Sequence, residues 1–312
     1  MTAGVYTNYA TESLRFGIAY LLKAQSEDGF WRDYELPPGP SEDWTTAWVG
    51  WCLAQAPGFL GASGALRRAA RAVTSAHREG GWGYNRRQAP DADSTAWAWR
   101  FLAALGSVTP SATAELEPYL DVGGSAHTFL EGDSGSWGAA HPDVTPVVGL
   151  ALLATAAAPV LICRVRGAVL RACGPGGTWP SFWWNTDAYA TAWSVEFLAR
   201  SGGVPQEIAA DVHAWSSDLS PNASVIEVAL RLLAALAVNG AAGQVGLTLV
   251  DAILDRFDGP NGWPPSALLM VPPKGDTPGG SGPHQDVAGL LSTAIATVAL
   301  ARWVSRTSVS RF

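Results

Sequence analysis

One outline returns about six times along this chain: a helix, a glycine-bearing turn, then a second helix more apolar than the first. The first copy covers 14–25 and 41–55, the second 64–77 and 91–105. The third is weaker, with 112–130 followed by a helix after His141-Pro142-Asp143. The fourth covers 160–172 and 187–200, and the fifth 205–216 and a helix opened by Pro221-Asn222-Ala223-Ser224. The sixth covers 245–257 and 286–304. A unit of this size cannot bury its apolar face alone, so successive copies must stack. The second helices are apolar on more than one face, as at 230–238 and 295–301, and belong inside; the Arg-bearing first helices belong outside. Six inner helices ringed by six outer ones predict an all-α chain, a single (α/α)6 barrel over 1–312, with no strand-period segment competing.

Composition narrows the function. A net charge of −7 argues against a nucleic-acid partner, which would call for clustered Lys and Arg. Cys52, Cys163 and Cys173 lack paired short spacings and give no zinc signature. No signal peptide is visible, and the longest apolar run, 144–162, is interrupted by Pro146 and Pro159. A soluble, cytoplasmic protein is expected. Its 15 Trp residues can build a core or line a pocket for sugars, flat rings or cations. The Pro/Gly-rich loop 264–285 is a candidate lid, and its apolar patch Ala267-Leu268-Leu269-Met270-Val271 could also meet a membrane surface or a hydrophobic carrier.

Two inner-helix starts align without a gap. Asp91-Ala92-Asp93-Ser94-Thr95-Ala96-Trp97 lies on Asp187-Ala188-Tyr189-Ala190-Thr191-Ala192-Trp193. Asp91 and Asp187 match, as do the Thr-Ala-Trp triplets, whereas Asp93 stands opposite Tyr189. Asp43, Asp91, Asp143 and Asp187 are read as N-caps. Asp93 is a carboxylate the repeat does not need, and so a candidate for chemistry. His141 begins an inner helix, where it could hydrogen-bond an acid at the pocket mouth or stand in a solvated loop. Arg86 and Arg87 precede the acidic stretch and are read either as a diphosphate contact or as surface residues.

The stretch Tyr20-Leu21-Leu22-Lys23-Ala24-Gln25-Ser26-Glu27-Asp28-Gly29-Phe30-Trp31 resembles the Gln–Trp repeat of squalene–hopene and oxidosqualene cyclases. Degenerate copies fall at Gly135-Ser136-Trp137, Gly177-Thr178-Trp179 and Gly262-Trp263. In that family the motif ties an outer helix to the next inner one, with a Gln amide stacked on and bonded near an indole. Asp91-Ala92-Asp93-Ser94-Thr95-Ala96 is similar to the Asp-x-Asp-Asp-Thr-Ala motif of squalene–hopene and class II diterpene cyclases, with Ser94 replacing the last Asp.

The resemblance implies that Asp93 is a general acid protonating an alkene or epoxide of an isoprenoid, with Asp91 beside it. Burial and the second carboxylate would keep Asp93 protonated, while the helix start stabilises the anion left behind. Trp44, Trp48, Trp97, Phe182, Trp183, Trp184 and Tyr189, with Asp187, are the expected lining, and aromatic faces stabilise a cation by ~2 kcal/mol or more per desolvated contact. No cofactor is implied, and Mg2+ only for a diphosphate substrate. Relatives carry a second helical domain, so a small substrate, the chain's own loops, or a homodimer or partner subunit must close the pocket. Two other readings stay open: a carbohydrate-active (α/α)6 enzyme, which needs a second carboxylate across the cavity, and a non-catalytic protein binding a hydrophobic metabolite.

Overall fold

Residues 145–154 read TPVVGLALLA, apolar all round, and the helix they form is buried over eight of its ten residues. Residues 62–76 instead bury only Ala62, Ala65, Leu66, Ala69, Ala72, Val73 and Ala76, one stripe at helical spacing, with Arg67, Arg68 and Arg71 turned to solvent. The chain alternates these two kinds of helix.

The computed structural model describes residues 3–56, 61–107, 111–130, 135–239, 243–275 and 279–309. Among them are twelve α-helices: α1 (Ala3–Ala24), α2 (Asp43–Ala54), α3 (Ala62–Ala76), α4 (Ala92–Ala104), α5 (Ser111–Leu116), α6 (Thr145–Ala154), α7 (Pro159–Arg171), α8 (Ala188–Arg200), α9 (Gln206–Ser217), α10 (Val225–Asn239), α11 (Gln244–Leu254) and α12 (Leu290–Val309). The even-numbered helices pack each against the next, and α12 returns to α2, closing an inner ring. The odd-numbered helices pack outside it. This is the barrel the repeat predicts.

The tryptophans explain how each hairpin is tied. The indole N–H groups of Trp31, Trp82, Trp179 and Trp263 donate to the carbonyls of Leu21, Val73, Val169 and Ile253, at 2.7, 2.7, 2.7 and 2.8 Å. Each acceptor lies in the last turn of an outer helix, where carbonyls lack an intrahelical partner. The backbone N–H of the same Trp donates to a threonine hydroxyl one turn into the next inner helix: Thr46, Thr95, Thr191 and Thr293, at 2.9, 3.0, 3.1 and 3.1 Å. The glycine before Trp82 has φ +111, and a Cβ there would lie 2.3 Å from Thr95 Oγ1, so the peg requires glycine. Trp179→Phe removes one such cap and leaves the Val169 carbonyl buried without it; we expect a loss of about 1–3 kcal/mol in urea unfolding.

Gln25 bonds beside the indole of Trp31 and not to it: its Nε2 donates to the carbonyls of Gly29 and Ala65, both at 2.9 Å. Two expectations need correction. In the third hairpin α5 is short, because Pro118 follows it and Gly124 (φ +89) packs against the Arg164 backbone. The peg there is Ala126 N–H on Thr145 Oγ1 at 3.0 Å, so Trp137 is not a copy of the motif. Trp137 instead donates to the Pro272 carbonyl at 2.8 Å.

Two antiparallel hairpins also occur where no strands were expected: β1 (Asp33–Leu36) with β2 (Gly39–Ser41), and β3 (Ala267–Val271) with β4 (Ser281–Gln285). Much of the 264–285 segment is therefore a β-hairpin; residues 276–278 lie outside the described residues. It is anchored by Met270 N–H on the Trp183 carbonyl at 2.8 Å and Asn185 N–H on the Leu268 carbonyl at 2.9 Å. Among the described residues, no helix is long and apolar enough to cross a membrane.

Candidate active site

The threonine pegs set a register. At four of the five pegs the residue two positions earlier is Trp44 on α2, Asp93 on α4, Asp143 before α6 and Tyr189 on α8. All four line a cavity of about 270 Å³ at the end of the barrel where these inner helices begin. Trp184, Trp183, Phe129 and Trp137 complete its aromatic wall, and Leu269, Met270 and Val271 of β3 lie over it with Leu36, Pro37 and Pro38. Residues 269–271 of the 264–285 segment are thus part of the cavity wall.

Asp93 sits in the first turn of α4. Trp44 Nε1 donates to its Oδ2 at 2.8 Å and Tyr189 Oη to its Oδ1 at 2.9 Å. Trp97 Nε1 donates in turn to Tyr189 Oη at 2.9 Å, which commits the phenol proton to Asp93. Burial, then the charge of Asp91, push the Asp93 carboxyl up to about 8, and Asp143 adds to this against the two hydrogen bonds. At neutral pH Asp93 is therefore a protonated acid. Asp91 caps α4, accepting Ser94 N–H at 2.8 Å and Ser94 Oγ–H at 2.7 Å, and burial raises its carboxyl to about 6. Ser94 thus braces Asp91 by hydrogen bonds without adding a charge.

Asp91 alone among the four expected caps makes a cap bond. Asp43 is the first residue of α2 and makes none. Asp143 lies ahead of Val144, the residue that precedes α6. Asp187 precedes α8 with αR backbone rather than the extended form that aims a side chain at the helix N–H groups, and it is exposed outside the cavity lining.

The aromatic residues divide into two layers. Trp44, Trp183, Trp184 and Tyr189 face the cavity, and Trp184 stacks on Tyr189 with centroids 4.4 Å apart. Trp48 and Trp97 are wholly buried behind them, Trp48 stacked on Tyr189 at 5.7 Å. Deeper still, the Arg100 guanidinium lies 4.4, 4.0 and 4.6 Å from the rings of Trp51, Trp97 and Trp193. Burial lowers it to about 9, yet the cage holds a cation.

Several other residues do not meet the cavity. Phe182 is outside its lining and stacks on His141 at 3.8 Å. His141 bonds no acid: its Nε2 lies 3.0 Å from the Ser136 carbonyl, and burial lowers its imidazole to about 4, leaving it neutral. Arg86 is exposed, 3.6 Å from Glu42 and over the Phe30 ring, and Arg87 is exposed outside the lining. Both Arg residues are surface residues rather than cavity contacts. Among the described residues no group of three His, Cys, Asp or Glu side chains is placed to hold a metal.

Asp143, Tyr84, Phe129 and Trp137 are site residues that sequence reasoning missed. The signal for Asp143 was its spacing to Thr145, the same as Asp93 to Thr95.

No family profile matches the chain, and no curated protein matches it. Among solved structures it is similar to the type II terpene cyclase MstE from Scytonema, with TM-score 0.84 and 24% identity over 96% of this chain and 99% of that one. A variant of MstE in complex with geranylgeranyl dihydroxybenzoate, its substrate, gives TM-score 0.85 at 24% identity, covering 96% and 99%. The shared feature is the fold. ent-Copalyl diphosphate synthase from Streptomyces platensis matches with TM-score 0.63 and 19% identity over 84% of this chain and 50% of that enzyme. An unsaturated glucuronyl hydrolase specific for heparin also reaches TM-score 0.63, at 11% identity over 98% of each chain. The barrel therefore occurs with more than one chemistry, and the cavity must decide function.

Proposed function

We propose that this chain is a class II, protonation-initiated cyclase of an isoprenoid polyene, with Asp93 as the general acid. The observation that carries this reading is a buried carboxyl at the wall of an aromatic cavity, with hydrogen-bond donors on both oxygens and a second carboxyl, Asp91, beside it; burial and that neighbour push it up to about 8. Asp93 gives its proton to an alkene carbon or an epoxide oxygen. Trp44 and Tyr189 steady the carboxylate that remains, and the α4 N-terminus adds to this. The electron-deficient carbon meets aromatic faces instead of water, and a neighbouring double bond closes the ring. The fold neighbour MstE, whose substrate carries a geranylgeranyl chain, supports an isoprenoid as ligand. Mg2+ enters only if the substrate is a diphosphate.

The test is to incubate the purified protein in D2O with isoprenoid diphosphates, squalene-like polyenes, their epoxides and prenylated aromatics, and analyse the products by mass spectrometry. A cyclised product carrying one solvent deuterium at carbon is expected from an alkene-initiated substrate. Failure of every substrate to cyclise would overturn the reading. Because the acid must be protonated, kcat should fall about tenfold per pH unit above the Asp93 value of about 8, and hold on the acid side of it until another group titrates.

A second reading has one observation in its favour: besides Asp91 and Asp93 the cavity is lined by Asp143, on a different inner-helix start, and a carbohydrate-active enzyme would need such a further carboxylate. The cavity also holds Gln88, Ser94 and Thr128, but most of its surface is apolar, from Trp, Phe, Leu, Val, Met and Pro, and suits a polyene better. Adding unsaturated oligosaccharides to the substrate panel separates the two.

A further inference from the structure

We infer that Asp143 is the base that takes up the proton released when the cyclised cation collapses to an alkene. This rests on the protonation reading above. It starts from the register: Asp143 stands to Thr145 as Asp93 stands to Thr95, so one structural position is occupied by a carboxyl on two successive inner-helix starts. Both carboxyls line the same cavity. Their surroundings differ in the way an acid and a base should differ.

Asp143 is 1% exposed. Its Oδ2 accepts two backbone hydrogen bonds, from Phe182 N–H at 2.9 Å and Trp183 N–H at 2.8 Å. Its Oδ1 is buried without a hydrogen-bond partner, and the backbone N–H groups of Phe182, Trp183, Asp143 and Val144 favour the ionised form of the carboxyl. One oxygen is thus held by two donors, and the other has no hydrogen-bond partner. Burial raises the group to about 6, less than the value of about 8 for Asp93, because backbone donors oppose the desolvation. Between those values the first carboxyl is ionised and the second protonated, the separation that assigns base and acid within a pair. The pair is coupled, since the charge on Asp143 is one of the causes that keep Asp93 protonated. His141, the other basic group at this helix start, is covered by Phe182 and has Nε2 against the Ser136 carbonyl.

The proton balance closes for an alkene-initiated reaction. The Asp93 proton forms a new C–H bond with the alkene π pair, and a second π pair forms the ring C–C bond. A C–H bond beside the last cationic carbon then breaks; its electrons become the product double bond and its proton goes to the Asp143 carboxylate. One proton enters and one leaves, so the reaction is an isomerisation. Transfer of a proton back to Asp93 resets the pair.

The experiment compares wild type, Asp143→Asn and Asp143→Glu in the full chain, with a turned-over polyene in D2O and product analysis by mass spectrometry. The Asn amide oxygen can still accept the Phe182 and Trp183 N–H groups, but the side chain cannot take the proton. We expect deuterium still to enter at the initiating carbon while the ratio of the wild-type alkene to water-quenched alcohol or isomeric alkenes falls at least tenfold. The Glu variant should change the position of the product double bond. An unchanged product pattern in Asp143→Asn, at any rate, would overturn the inference. If the Asn variant fails to fold or turn over, an unaltered pattern from Asp143→Glu does the same. Absence of cyclisation by wild type would instead overturn the protonation reading, and this inference with it.

Discussion

Asp93→Asn is expected to lose turnover by at least about 10³-fold while becoming more stable than wild type in alkali. The first half follows from its role as the proton source, for which an amide is no substitute. The second follows from linkage. The Asp93 carboxyl lies near 3.8 in the unfolded chain and about 8 in the folded one. Below the unfolded value both states are protonated, and the full contribution of the neutral side chain is present. As pH rises from there through about 8, the unfolded chain releases a proton that the fold still holds, and stability drains away. Above that window wild type carries a buried charge at a cost on the order of a few kcal/mol, and Asn carries none. Urea unfolding at pH 5 and pH 9 should show a stability advantage for Asn that grows with pH. Retained cyclisation by this variant would remove Asp93 from the acid role. A stability difference independent of pH would contradict its raised carboxyl.

The barrel was legible because its cause is local and repeated. Apolar-all-round helices must be inside, and the pattern marks them without any knowledge of contacts. The third hairpin was misread where the repeat lost its signal: Ala126 occupies the peg position, so Trp137 appeared to be the missing indole. The same loss of register hid Asp143, which was read as a helix cap when it stands where Asp93 does. Asp93 was legible because it broke a pattern between two well-aligned copies. The segment 264–285 was legible as a candidate lid, but its hairpin was not. Strands β3 and β4 are short, Gly282 and Pro283 fall within one of them, and their anchors are backbone atoms of Trp183 and Asn185, far away in sequence. Which tryptophans face the cavity and which lie behind it depends on helix rotation, and composition carries no record of that. Nor does it reveal that one aromatic cage, around Arg100, already holds a cation.

Tyr189→Phe and Trp44→Phe should each lower kcat about ten- to hundredfold, the effect of losing one charge-assisted hydrogen bond worth roughly 1.5–3 kcal/mol. Both donors point at the Asp93 carboxyl, at 2.9 and 2.8 Å, and both favour its ionised form. They therefore oppose the burial that keeps the acid protonated, and their value lies in what happens after the proton leaves. Removing either makes Asp93 a weaker acid, so the alkaline limb of kcat should move to higher pH while the plateau falls. Loss of packing alone would lower the plateau and leave the limb in place. Tyr189→Phe has a second consequence, because Trp97 Nε1 then loses its acceptor in the core and stability should drop by about 1–3 kcal/mol. Trp44→Phe leaves no such orphan donor, since the Trp44 indole N–H is removed along with its bond. The two variants thus separate the stabilisation of the anion from the integrity of the stack behind it. A limb that stays near pH 8 in both would show that these donors hold Asp93 in place without tuning its acidity.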